Sequence, residues 1–215
     1  MPARKTVLIT PLNWGLGHAT RMVPIIENLL NKNVNLLIAA DKRPYDFLVQ
    51  RFPNTEIIRF PGFEPRYPID SMMAFRMAWS FPVLWRQSYQ AHRFLQEIIS
   101  KHQVDIIISD NRYESYSKST YNIFITHQLH IQTKGLQKLF QPFIKRLIYS
   151  FIKRYDELWI PDFEDADENL SGKLSHVKRF PIRNYHFIGP HSRFKTTSKK
   201  SHVEGVDLLV ILSGP

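Results

Sequence analysis

Residues 13–21, NWGLGHATR, bring together residue types that handle anions and protons. Gly15 and Gly17 allow a backbone to come close to a ligand, and the free N–H groups of a following helical turn attract negative charge. His18 stands where the glycines end. An imidazole titrates near neutrality and can take the proton of a hydroxyl. Asn13 and Arg21 add donors able to contact the same groups. Taken locally, the same letters also describe a tight turn with a histidine capping a helix. As a dinucleotide fingerprint the stretch fails. The spacing is G-x-G-H without a third glycine, and Asp41 is the only acidic residue near the place of a ribose contact.

Two further polar clusters follow apolar runs. Asp110, Asn111 and Arg112 come after DIIIS, where Arg112 suits a phosphate or carboxylate. The same residues would also serve as a helix N-cap with a solvated arginine. His127 and Gln128 come after IFIT, placed either to touch a sugar or pyrophosphate or simply to be satisfied at a strand end. His127 and His130 are three apart, but no carboxylate or cysteine completes a zinc set, and no metal is expected.

The elements that must position these residues alternate. The apolar run at 7–9 predicts a strand, and residues 19–30 a helix with Met22, Val23, Ile25, Ile26, Leu29 and Leu30 on one face. Strands are expected at 35–40, 56–60, 105–109, 123–126, 157–160 and 186–188. Helices are expected at 45–52, started by Pro44, at 71–101, broken or kinked at Pro82, and at 136–152. Residues 61–69 hold three prolines and a glycine and predict a surface loop. Alternating strands and helices imply βαβ units: an α/β, Rossmann-like parallel sheet with helices on both faces. Ligands bind such sheets at the carboxyl ends of the strands, where Asn13 to His18, Asp110 to Arg112, His127, Gln128 and Asp162 collect.

Composition bounds the partners. The chain has 215 residues, 43% of them hydrophobic, which is ample for a core. Lys and Arg number 29 against 19 Asp and Glu, so an anionic partner is favoured. No helix-turn-helix, zinc-finger or RNP-like motif is present, and nucleic acid is not the expected partner. There are no cysteines, which excludes disulfides and fits a reducing compartment. No run approaches the roughly 18 apolar residues of a spanning helix. The expected location is cytoplasmic, with the chain either soluble or peripheral at the inner face of the cytoplasmic membrane.

Residues 1–190 are expected to form one domain and residues 191–205, rich in Lys, Ser and Thr, a linker. Residues 206–215 read as the first strand of a further domain absent from this chain, since VDLLVILSGP echoes the opening VLITPLNWG.

Several of these stretches, in order, carry a resemblance: NWGLGHATR, SDNRY at 109–113, FITHQL at 124–129, LWIPDFE at 158–164, LSGKLSH at 170–176 and FIGPHSRF at 187–194. Together they resemble a bacterial branch of the two-domain GT-B nucleotide-sugar glycosyltransferases, related to the UDP-N-acetylglucosamine transferase that forms lipid II. The resemblance implies two facing Rossmann-like domains. The N-terminal one would hold a lipid-linked or glycan acceptor, and a C-terminal one, in the same gene or a separate chain, most of the UDP-linked donor. It implies attack by an acceptor hydroxyl on the anomeric carbon with inversion, and no cofactor beyond the nucleotide-sugar substrate. His18 would be the base or a phosphate contact. Gly15 and Gly17 would leave room for phosphates. The loop departs from the lipid II enzyme's richer glycine run in having Asn13-Trp14 before Gly15 and Leu16 between the glycines.

Residues 133–155 carry Lys134, Lys138, Lys145, Arg146, Lys153 and Arg154 with no acid beside a broad apolar face. They read as a helix packed on the sheet with a basic outer face, or as one that also touches anionic lipid. Residues 71–85, rich in Met and Trp, suit either a lipid contact or a core. Beside the acceptor-side half of a transferase, two other functions fit the same letters: a nucleotide-sugar epimerase, and a non-catalytic, membrane-peripheral binding module.

Overall fold

A computed structural model describes residues 4–62, 73–131, 139, 141–165 and 167–194, with the side chains of 73–81 excepted. Its centre is a seven-stranded parallel sheet in the order β3-β2-β1-β4-β5-β6-β7. The strands are β1 (Lys5–Pro11), β2 (Val34–Ala40), β3 (Glu56–Arg59), β4 (Ile106–Asp110), β5 (Tyr121–Ile125), β6 (Glu157–Ile160) and β7 (Tyr185–Phe187). The helices are α1 (Leu16–Leu30), α2 (Lys42–Arg51), α3 (Met73–His102) and α4 (Gln141–Ile152). The fold is thus the expected Rossmann-like α/β sheet.

Side chains alternate between the faces of the sheet, so each strand feeds two cores. Val7, Ile9, Ile38, Ile108, Ile123 and Ile125 pack with Ala19, Met22, Val23 and Ile26 of α1 and Leu48 of α2. On the other face Leu8, Leu37, Ala39 and Ile107 meet Ala91, Leu95, Ile98 and Ile99 of α3. Phe124, Leu158 and Ile160 meet Ile148 and Ile152 of α4. The chain runs outward from β1 through β2 to β3, then returns to place β4 on the other side of β1. That reversal opens a crevice beyond the carboxyl ends of β1 and β4, where such sheets bind ligands. Residues 12–18 and 110–112 stand there.

Several boundaries differ from expectation, for local reasons. α1 starts at Leu16, not Ala19, because the break falls at Gly15 (φ +75°), so Gly17 and His18 lie in the first helical turn. α2 starts at Lys42, with Pro44 its third residue rather than its first. α3 is a single helix of 30 residues that runs through Pro82 without stopping. β4 extends to Asp110 because Pro11 of β1 keeps it in register, which puts the carboxylate on the last residue of a strand. Of the helix expected at 136–152, α4 accounts for the part from Gln141 onward. Residues 63–69 of the proline-rich loop, Met72, the side chains of Met73 to Phe81, Lys134, Lys138 and the strand expected at 206–215 lie outside the described residues.

Candidate active site

Asp110 is the pivot of the site. It is fully buried at the end of β4, and the first two turns of α1 bring two side chains onto it. His18 Nδ1 lies 3.0 Å from Asp110 Oδ2. Arg21, one turn further along the helix, donates Nε to the same oxygen at 2.8 Å and an NH2 proton to Oδ1. The spacing of three residues puts His18 and Arg21 on one face of α1. Arg21 also reaches His18 Nδ1, at 2.9 Å, and His127 Nδ1 beyond β5, at 3.3 Å. Three segments distant in the chain thereby meet at the crevice.

The electrostatics follow from burial and charge. Burial pushes the Asp110 carboxyl up, but the Arg21 charge and the His18 and Arg21 hydrogen bonds together outweigh it, and the pKa ends below the ordinary carboxylate range. Burial depresses the His127 pKa, and the Arg21 and His18 charges push it the same way, against Asp110 and Asp162. Among the described residues His18 Nε2 makes no hydrogen bond, so the ring is held by one nitrogen and offers the other. A carboxylate behind an imidazole is the arrangement that orients a general base.

The glycines serve space rather than packing. At both Gly15 and Gly17 an added Cβ would meet no heavy atom within 4 Å, so the region above them is open. Gly15 requires its positive φ, no side chain caps α1, and no acidic residue sits in the first turn. Those N–H groups suit an anion.

The other expected site residues divide. Asn13 is buried, and neither of its amide atoms has a hydrogen-bond partner among the described residues. Asn111 shapes the turn: it takes a positive φ of 58°, which asparagine tolerates, and its Oδ1 accepts from Thr126 at 3.1 Å. Gln128 is half-buried beside His127, its backbone N–H held by Thr126 Oγ1 at 3.0 Å. Arg112 does not face the crevice. Its guanidinium is fully buried, donates Nε to Glu114 at 2.8 Å and reaches the carbonyls of Phe60 and Pro61 at 3.1 Å each. It also lies 3.7 Å from the centre of the Phe60 ring. Arg112 thereby ties the end of β3 to the turn after β4. Asp162 is likewise structural, accepting from the backbone of Phe163, Leu170 and Ser171 and from the hydroxyls of Ser171 and Ser175.

One residue at the site escapes sequence analysis. His191 follows β7, and the chain there turns back at Gly189 (φ +71°) until Arg193 lies 5.8 Å from the Phe47 ring of α2. This strap crosses the top of the sheet and sets His191, half-buried, within the fields of Arg21 and Asp110. Its one sequence signal is the proline-histidine pair that follows the last strand. A polar hollow lined by Arg4, Thr6, Asn35, Glu56 and His102 sits at the opposite, amino ends of the strands, away from this chemistry.

No protein-family model matches the chain, and no curated protein sequence is similar to it. Solved structures are. Arabidopsis thaliana UGT89C1 complexed with quercetin superposes with a TM-score of 0.59 at 13% identity, over 92% of this chain and 53% of that one. CalG4, the calicheamicin glycosyltransferase, superposes with a TM-score of 0.51 at 11% identity, over 87% and 52%. Acinetobacter baumannii MurG matches over 74% and 42% at 10% identity, and its TM-score of 0.46 bears no weight on which branch is nearest. The chain spans about half the length of the structures it matches. Its structural neighbours are GT-B glycosyltransferases, and its own fold is the Rossmann-like α/β sheet that they share.

Proposed function

We propose that this chain is the acceptor-side half of an inverting glycosyltransferase. The observation that carries the proposal is the His18–Asp110 contact of 3.0 Å, set at the sheet's reversal point beside an open glycine turn. His18 Nε2 removes the proton of an acceptor hydroxyl. The oxygen forms its bond to the anomeric carbon as the bond to the diphosphate breaks, and the electron pair leaves with the nucleoside diphosphate. Asp110 orients the ring and stabilises the imidazolium. The first turn of α1, with Asn13, Gly15 and Gly17, faces the phosphates, and His127 and Gln128 border the acceptor. Arg112 acts as scaffold. A facing C-terminal domain supplies most of the grip on a UDP-linked hexose such as GlcNAc.

The acceptor fits a lipid-linked or glycan class best. Leu139, Phe143 and Leu147 are exposed on and just before α4, next to Arg146 and Lys153, while Ile148 and Ile152 face the core. An apolar stripe flanked by cations is the chemistry of an anionic membrane surface. No helix among the described residues is long and apolar enough to cross a membrane.

Calorimetry with UDP-GlcNAc and related donors on this chain tests the proposal. No detectable donor binding is expected until the C-terminal domain is supplied, whereupon transfer appears and His18→Ala abolishes it. Micromolar donor binding by this chain by itself would refute the half-enzyme.

A further inference from the structure

His191 stands at the crevice without a part in the transfer described above. Among the described residues every other histidine has a hydrogen-bond or ion-pair partner, while both ring nitrogens of His191 are unspent. The ring is half-buried all the same. The chain brings it there along an anchored path. Ile188 and Gly189 donate their N–H groups to the carbonyls of Ile160 and Asp162, at 2.9 and 3.1 Å, so the strap leaves from the carboxyl edge of the sheet beside β6. Its far end, Arg193, lies 5.8 Å from the Phe47 ring of α2, beyond β4 and β1 in the strand order. His191 is midway between these anchors.

An anion in this crevice needs a counter-charge, and neither arginine that the sequence offers has one to spare. Arg21 is matched by Asp110 and spends its remaining contacts on His18 and His127. Arg112 is buried against Glu114. Burial first, and then the Arg21 charge, push the His191 pKa down, against Asp110. Arg21 on α1 and Asp110 on β4 are thus the charged groups that face the ring; His18 and His127 contact that pair, and Arg193 shares the strap. A neutral imidazole costs less to bury than a cation, and a nearby phosphate reverses the balance by favouring the charged ring.

We propose that His191 is a phosphate-contact residue: it takes up a proton from solvent as an anionic phosphate group enters the crevice, and donates a hydrogen bond to that group. The inference rests on the reading of the crevice as a phosphate-facing site, and not on His18 as the base.

Proton NMR titration of the imidazole signals of this chain tests it, with His191→Gln and His127→Gln assigning the rings. Inorganic pyrophosphate is the probe, against sodium chloride at matched ionic strength. Without pyrophosphate His191 should titrate below 6.5, and with it the midpoint should rise by about one pH unit or more. One pH unit is about a tenfold gain in affinity on protonation, so His191→Gln should weaken pyrophosphate binding by up to about tenfold near pH 5.5 and little near pH 8. Comparing the two chains at each pH cancels the titration of the probe itself. A His191 midpoint that stays in place, rises equally in chloride, or rises less than that of His127 overturns the proposal. Two further probes tell the sources of the phosphate apart. A rise with geranyl phosphate on this chain assigns the contact to the acceptor, and a rise with UDP once a donor domain is supplied assigns it to the donor. Absence of sugar transfer in the completed enzyme would sink the proposed function while leaving a His191 response to pyrophosphate standing. Transfer with an unresponsive His191 would do the reverse.

Discussion

Replacing Arg112 with methionine separates a scaffold from a substrate contact. The side chain is fully buried and its partner Glu114 nearly so, with 0% and 2% of their side-chain surfaces exposed. Methionine fills much of the same volume but removes the Nε bond to Glu114 and the donors to Phe60 and Pro61. Glu114 Oε2 has no hydrogen-bond partner among the described residues, so the lost bond leaves that carboxylate buried and unpaired among them. Breaking a buried ion pair from one side costs about 3–5 kcal/mol. With a urea m-value of about 2–3 kcal/mol/M, the unfolding midpoint should fall by about 1–2.5 M. Adding Glu114→Gln removes the stranded charge, so the double variant should be more stable than the sum of the single losses by about 0.5–3 kcal/mol. A midpoint shift below about 0.4 M, under about 1 kcal/mol, with coupling near zero and loss of substrate binding would refute the scaffold assignment. It would also restore the expectation of a phosphate contact.

Gly62→Ala tests the same joint from the segment that follows β3. Its Cβ would stand 2.7 Å from Arg112 NH2 and 3.2 Å from Asn13 Oδ1, in a guanidinium that cannot swing aside, so a loss of about 1–3 kcal/mol in urea unfolding is expected. Asp110→Asn should lower transfer by about 10²–10⁴-fold once a donor domain is present, measured as initial rate, and an unaltered rate would exclude Asp110 from the mechanism. Acid should weaken the fold through His127 and His191, each depressed first by burial and then by Arg21. The unfolded chain takes up their protons from the ordinary value of 6.5 downward and the native chain only lower, so stability present above that value is lost as pH falls through the depressed one. Urea midpoints should therefore drop between about pH 8 and about pH 5.5, and the drop should shrink in His127→Gln and His191→Gln. A midpoint that rises over that range contradicts the burial of both rings. Vesicle sedimentation with anionic lipid should lose the chain when Phe143 and Leu147 become serine, and equal binding to zwitterionic vesicles would argue against the cationic contribution of Arg146 and Lys153.

The alternation of strand and helix, the parallel sheet and the place of its ligand edge were legible because period and burial are local. Val7 and Ile9 declare a buried strand, and Met22, Val23 and Ile26 declare the face of α1, whatever surrounds them. The same locality put Asn13, His18, Asp110 and His127 at the carboxyl ends of strands before any contact was known. Boundaries slipped where neighbours outvote propensity, as when β1 draws β4 out to Asp110 or packing carries α3 through Pro82.

What the letters could not tell apart is Asp110 from Arg112, two residues away in the chain and opposite in use. On a continuing strand residues two apart would share a face, but β4 ends at Asp110 and the positive φ at Asn111 redirects the chain between them. Asp110 therefore meets α1 while Arg112 sinks against Phe60 and Glu114. Charge alone made both candidates for the crevice, and burial against partners 89 and 52 residues away decides which is there. His191 depends on the strap reaching back across the sheet, a path that no spacing encodes. Sequence determined the sheet and the edge at which chemistry collects. Tertiary structure decided which side chains converge there, because convergence at 3 Å is a property of the packed faces and not of the order of residues.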